Sequence, residues 1–478
     1  MKNLFLFSVL ATLLMWIAAL ATIPIPREDR ETIISWSTDP NPARKTQIAK
    51  FEDKYPTVGV TVEPETFEKT IVQCSTGVGP DLIEMYTNID MASYAEAGIL
   101  LDLTPYAEEY GFPLSKTWPK LHNNLQYNGR MYRFPANAAS NVLFYNKAIF
   151  REAGLPEPRN GMGWNEFIDL VQPLTKQKEN GAYERFALAI LRGFVPEIPL
   201  QHGGKFFSDD LTSSALDSPG FIEGMNLYRD LMREYNIIPT PATADALAGG
   251  GGWGTGEIDW FRSGRAATLW GSRWMMVLFR EEPELHKNIG VVTLPRPPGA
   301  VSTSYSYARG PGINANTENL EEALNFLAYL ASEEYNEIIA LGSDALPPNR
   351  VYGSDPDNLL NPEYPNEGYQ EVFIQSMREA EPKQLSPFID AKVSERIWTE
   401  ALDYIDNDLK SPEAALTDAA NRINGIIRNN LRNRESLRER YAEIKDRPYS
   451  DDQPLQRFWS AEFSNQLPMA RETRAKRA

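Results

Sequence analysis

Residues 32–85 read TIISWSTDPNPARKTQIAKFEDKYPTVGVTVEPETFEKTIVQCSTGVGPDLIEM, and this stretch decides the fold. Thr32 to Trp36 reads as a buried strand, ended by the turn-prone Ser-Thr-Asp-Pro-Asn-Pro. A helix is expected from Ala43 to Tyr55, with Ile48 and Phe51 on one face. Val58 to Val62 alternates as a second strand, and Thr66 to Ser75 forms a short helix. Gly77-Val-Gly-Pro80 then turns into a third strand, Asp81 to Met85. This βαβαβ rhythm implies an α/β fold with a parallel sheet covered on both faces. Ligands of such sheets bind beyond the carboxyl ends of the strands, here near Trp36-Ser-Thr-Asp39 and Tyr86-Thr-Asn88.

Moving outward, a second α/β region begins near Leu143. Helices are expected at 148–153, 164–178 and 220–234, and strands at 186–190, 266–270 and 289–292. Gly249 to Gly252 makes a loop tipped by Trp253. The last third is mostly helical. Ala323, Phe326, Leu327 and Leu330 recur at helical spacing, and Ser411-Pro-Glu opens a long helix with Ser as N-cap and Pro in the first turn. From Arg434 onward the chain is dense in charge and reads as a solvated extension.

At 478 residues the chain exceeds one average domain, so two lobes are expected. A net charge of −17 argues against nucleic acid or anionic lipid as partner. The single cysteine, Cys74, excludes an internal disulfide. At the N-terminus, Lys2 precedes an apolar run from Leu4 to Ile23, so residues 1–26 are a signal peptide cleaved after Ala21 or an uncleaved membrane anchor. No cysteine ends this run to carry a lipid. Catalytic motifs are missing: there is no phosphate loop and no G-x-S-x-G elbow, and His122, His202 and His286 show no metal-ligand spacing. With 65 acidic residues a glycosidase-like carboxylate pair stays open as an alternative.

Several segments, in order, resemble the extracellular solute-binding proteins of ABC transporters, the sugar-type, maltose-binding-protein-like family 1. They are Gly77-Val-Gly-Pro-Asp-Leu82, Ala95-Glu-Ala-Gly-Ile-Leu-Leu-Asp-Leu103, Asn128-Gly-Arg-Met-Tyr-Arg-Phe-Pro135, Leu143-Phe-Tyr-Asn-Lys147, Gly163-Trp-Asn-Glu-Phe167, Phe261-Arg-Ser-Gly-Arg-Ala-Ala267 and Trp270-Gly-Ser-Arg-Trp274. The helix at 317–332 also fits. Tyr307-Ala-Arg309-Gly310 departs from the family's Gly-Gly.

The resemblance implies a two-lobed, type II periplasmic-binding-protein-like fold with the ligand in a cleft between lobes joined by hinge crossovers. The crossovers would fall at 138–143, 266–269 and 310–314. The first lobe would comprise residues 31–140 and 266–312, the second 141–265 and 313–433, followed by the extension 434–478. Lobe closure would capture a mono- or oligosaccharide and deliver it to the membrane permease, with no cofactor, no metal and a monomeric receptor. A sugar offers hydroxyls and flat C–H faces, which aromatic rings and bidentate polar groups match. The candidates of that type are Trp36, Asp39, Asn88, Tyr145, Trp270, Arg273, Trp274, Tyr307 and Arg309, with Trp253 as a lid. An exported carbohydrate-active enzyme and a sensory receptor for a membrane partner are the alternatives.

Overall fold

A computed structural model describes residues 30–64, 67–179, 182–247, 255–300 and 303–450. The apolar N-terminal run and Trp253 with its glycine loop lie outside the described residues.

The opening stretch forms β1 (Thr32–Thr38), α1 (Ala43–Lys54), β2 (Val58–Pro64), α2 (Phe67–Ser75), β3 (Leu82–Met85) and α3 (Asn88–Glu96). Strand β1 pairs in parallel with both β2 and β3. Its alternation is strict where it matters: Ile34 and Trp36 are fully buried, while Ile33 is 45% exposed. The buried face packs on α1 and on a helix from the last third, with Trp36 and Phe51 each 5.0 Å from the ring of Phe326. The opposite face carries Cys74, Ile83, Met85, Met91 and Tyr94. A hairpin of β4 (Gln126–Tyr127) and β5 (Arg130–Met131) closes this part of the first lobe.

The second lobe is built on β6 (Asn141–Asn146), β7 (Lys176–Gln177), β8 (Tyr183–Ile190), β9 (Ala266–Ser272) and β10 (Ile289–Val292), in the order β10-β6-β9-β8-β7. Between them run α4 (Lys147–Ala153), α5 (Trp164–Val171), α6 (Glu197–Gln201) and α7 (Pro219–Arg233). The helix expected to reach 178 stops at Val171, because Pro173 turns the chain into a 3-10 segment that leads to β7.

The chain then returns through β11 (Tyr305–Ser306) to β12 (Gly310–Ile313), which pairs antiparallel with β3 and completes the first sheet. Glycine is required there. A Cβ at Gly310 would lie 2.2 Å from the Phe134 carbonyl oxygen, and one at Gly312 2.4 Å from that of Tyr132. Helices α8 (Leu320–Leu330) and α9 (Glu333–Gly342) join the same core as Trp36. Beyond them α10 (Gln370–Glu379) packs on β6, with Phe373 6.0 Å from Phe144, and β13 (Glu381–Pro382) pairs with β11. Helices α11 (Ala391–Asp406) and α12 (Pro412–Asn433) finish the second core. Ser411 caps α12 by accepting from the Ala414 amide, as expected.

Two boundaries are therefore corrected. Strand β9 is the centre of the second sheet, flanked by β6 and β8, so 266–269 is not a crossover and 266–292 does not belong to the first lobe. Residues 314–342 pack in the first lobe, not the second. The chain crosses between lobes at 136–140, 303–309 and 343–349. The three segments lie side by side: Ala139 and Tyr307 exchange backbone hydrogen bonds of 2.8 and 2.9 Å, and Ala138 and Leu346 do the same. Finally, the region past Arg434 is not merely solvated. It forms α13 (Glu435–Lys445), which buries Tyr441 against Phe388.

Candidate ligand site

The first-lobe side of the hinge is a buried network of charge at the carboxyl ends of β1 and β3. The Trp36 indole Nε1 donates to Glu84 Oε2 at 2.8 Å, and Arg309 Nη1 lies 3.6 Å from Glu84 Oε1. Arg309 Nη2 and Arg44 Nη1 both donate to Asp344 Oδ2, at 2.8 and 2.7 Å. The Arg309 amide donates to Asn137 Oδ1, and Asn137 Nδ2 donates to the Asp344 carbonyl. One residue from each crossing segment (Asn137, Arg309 and Asp344) is thus tied into one cluster. Burial alone would raise the Asp344 carboxyl, but Arg44 and Arg309 hold it well below the usual range. Burial pushes Glu84 up against the opposing pull of Arg309 and Arg44. Ser37 Oγ and Arg309 Nε are buried without a hydrogen-bond partner, while Glu84 Oε1 and Arg309 Nη1 meet each other only as that 3.6 Å ion pair.

The second-lobe side is built at the ends of β8 and β9. Trp270 is fully buried; it stacks on Trp164 at 5.9 Å and donates to Glu197 Oε2 at 2.6 Å. Glu197 also accepts from Asn141 Nδ2 and from the Tyr305 amide, both at 2.9 Å. All three donors are neutral. Burial pushes this carboxyl up to about 8, although the three hydrogen bonds favour its charge. Arg273 is likewise buried, with Nη2 2.8 Å from the Ala340 carbonyl, Nε 2.9 Å from Gln370 Oε1, and Nη1 donating to the Ala345 carbonyl. It therefore joins the second lobe to the carboxyl end of α9 and to the third crossing segment, a favoured place for a cation. Burial, followed by nearby Arg280, pulls its pKa down to about 9.

Rings with accessible surface lie beside these. The Trp274 Nε1 donates to the Tyr307 hydroxyl at 3.3 Å, and that hydroxyl donates to Asn141 Oδ1 at 3.0 Å. Phe194, just past the end of β8, lies 5.9 Å from the Tyr307 ring. All three rings are half-buried. Phe194 went unnoticed in the sequence, although the carboxyl-end rule applied to β1 and β3 applies equally to β8.

The expected site residues therefore divide. Trp274 and Tyr307 come together at the hinge. Asp39, half-buried, accepts from Arg44 Nε at 3.0 Å, and its amide donates to the hydroxyl of Tyr86, which is 37% exposed. Asn88 reaches across the lobes, Nδ2 donating to the Lys383 carbonyl at 2.8 Å. Arg309 sits in the hinge network. Trp36 and Trp270 are packed on both faces and offer no open ring. Arg273 has its donors taken by carbonyls. Tyr145 lies at the far end of β6, about 13 Å along the strand from Asn141 at ~3.3 Å per residue, and its hydroxyl donates to Glu157. Trp253 lies outside the described residues.

The lobes also meet away from the hinge. Lys392 pairs with Asp90, and Lys120 Nζ lies 3.0 Å from Glu381. Between α1 and residues 277–281 and 361–364 runs a groove of about 750 Å³, with Gln47 and Asp344 in its wall. Among the described residues no His, Cys, Asp or Glu group is arranged to hold a metal, and no helix is long and apolar enough to cross a membrane.

Two α/β lobes, three bridged crossings and a polar and aromatic junction between them describe a hinged receptor, and the family model described as "Bacterial extracellular solute-binding protein" matches residues 35–337. The chain belongs to this family. It is 26% identical over 369 residues to the maltotriose-binding protein of Pyrococcus abyssi, covering 75% of this chain and 72% of that protein. An arabinooligosaccharide-binding protein of Bacillus subtilis is 25% identical over 254 residues, covering 52% of this chain and 55% of that protein. In fold, the chain is similar to the ABC substrate-binding protein Lmo0181 of Listeria monocytogenes, solved in complex with cycloalternan. There the TM-score is 0.70 and the identity 23%, over 83% of this chain and 99% of that one. The maltotriose-bound MalE domain of Bdellovibrio bacteriovorus gives 0.65 at 18% identity, over 84% and 100%. The architecture is therefore the type II, two-lobed binding-protein fold, and the protein is an extracellular solute receptor.

Proposed function

We propose that this receptor captures an oligosaccharide between its lobes and hands it to the permease of an ABC transporter as a monomer without cofactor. The observation that carries the reading is the half-buried ring set Phe194, Trp274 and Tyr307 at the hinge, joined by the Trp274–Tyr307 hydrogen bond and next to polar side chains of both lobes. Rings of this kind stack on the C–H faces of a sugar, and the polar atoms accept and donate to its hydroxyls. Asp39, Asn88 and Arg309 are the first-lobe residues assigned to it. The names of the relatives, a maltotriose-binding and an arabinooligosaccharide-binding protein, point the same way. Ligand that touches both lobes favours the closed arrangement by its differential affinity. Residues 1–26 supply the export signal or the anchor. The buried carboxylates Glu84, Asp344 and Glu197 are engaged by indole, guanidinium and amide donors, which supports a receptor over a hydrolase.

Thermal-shift screening against mono- and oligosaccharides tests this. A bound sugar at saturating concentration raises the melting temperature by about 3–6 °C, and Trp274→Ala abolishes the shift with the unliganded midpoint nearly unchanged. A shift with peptides or polyamines and none with any sugar sinks the carbohydrate assignment.

A further inference from the structure

The helix α13 lies beyond the residues that match the family model, and it is seated firmly on the second lobe. Tyr441 is buried, 6.0 Å from Phe388 and 5.5 Å from Tyr449. Lys445 pairs with Asp210; burial alone would raise that carboxyl, but Lys445, Thr212 and Ser208 bring it down to about 2. Arg438 Nη1 donates to the Leu431 and Arg432 carbonyls and so caps the end of α12. From this seat one side chain crosses to the other lobe: Arg440 Nη1 donates to Asn128 Oδ1 at 2.6 Å.

Asn128 is itself held rigidly. It and Gly129 form the two-residue turn between β4 and β5, with φ of 51° and 76°, a left-handed pair that Asn-Gly adopts readily. A fixed acceptor on the first lobe thus meets a charged donor on an anchored helix of the second, more than 300 residues away in sequence. Nearby, a cavity of about 260 Å³ lined by Glu96 of the first lobe and by Asp390, Arg434 and Leu437 of the second marks where the two bodies meet without filling the space.

We propose that α13 is a clasp: Arg440 on Asn128 biases the lobes toward the closed arrangement and slows release of the captured solute. The inference rests on the reading of a hinged receptor. One charge-assisted bond shifts a two-state balance only modestly, by an amount that release kinetics can read.

The test uses the full chain with nitroxide labels at Lys54→Cys on α1 and Glu413→Cys on α12, both exposed; the native Cys74 is buried and stays unlabelled. Distances are read by pulsed electron resonance and sugar release by stopped flow. Arg440→Ala moves the ligand-free population toward longer distances and speeds release about fivefold. Asn128→Asp, which keeps the left-handed turn and turns the contact into an ion pair, does the reverse. Unchanged distances and release rates in both variants overturn the clasp. Distances that shift while no sugar binds any variant leave the clasp standing and remove the carbohydrate reading instead.

Discussion

Arg309 and Arg273 are both buried at the hinge, and they are satisfied in opposite ways. Arg309 faces carboxylates: burial works against its charge, but Asp344, then Tyr335 and Glu84, more than compensate and raise its pKa well above the ordinary value. Arg273 faces peptide carbonyls and one amide, and its pKa falls to about 9. The difference shows two routes to a buried cation. One cancels charge with charge; the other spends dipoles at a helix end. The first ties three crossing segments into the first lobe, and the second pins the second lobe to the end of α9.

Removing the shared carboxylate should break that contrast most severely. Asp344→Ala leaves Arg44 and Arg309 facing each other without their common partner, and the expected loss is about 3–5 kcal/mol in urea unfolding. A loss below about 1 kcal/mol would mean that the cluster is solvated. The carbonyl-bound arginine comes next. Arg273→Met fills the space but leaves several acceptors without donors, and should cost about 2–4 kcal/mol. A neutral result would show that the carbonyls find other donors. The smallest effect is a slope. The Glu197 carboxyl titrates near 8 when folded and near 4.5 when unfolded, so between those values the folded chain holds a proton that the unfolded chain has lost. Stability should fall as pH rises through that window, by at most about 1.4 kcal/mol per pH unit, and level off above it. Glu197→Gln should flatten the profile whatever its absolute stability. An identical slope in the variant would assign it to other groups.

Much of the first lobe was legible because its signals are local. The turn at Gly77 to Pro80, the alternation of Ile34 and Trp36, and the Ser411 cap each depend on neighbours within a few residues. The same alternation warns against Trp36 as a ligand residue, since it points with Ile34 into the core. What local pattern does not carry is partnership. The run Ala266 to Trp270 reads the same in either sheet, and only its pairing with β6 and β8 assigns it to the second lobe. Asp344 drew no notice because its partner Arg44 lies 300 residues away. Trp270 lies near the end of β9 and Arg273 follows it, as ligand residues do, yet Trp164 and the end of α9 occupy the space before them.

The threefold crossing also governs how the protein is made. The first sheet cannot be finished until β12 is synthesised and returns to β3, some 225 residues after it, and α8 and α9 must follow before that core is sealed. Neither lobe is a continuous piece of chain. A polypeptide emerging from the ribosome therefore has no complete lobe to fold until α9 has been made. In a receptor of an extracellular solute-binding family, the order of synthesis thus puts the sealing of both cores late.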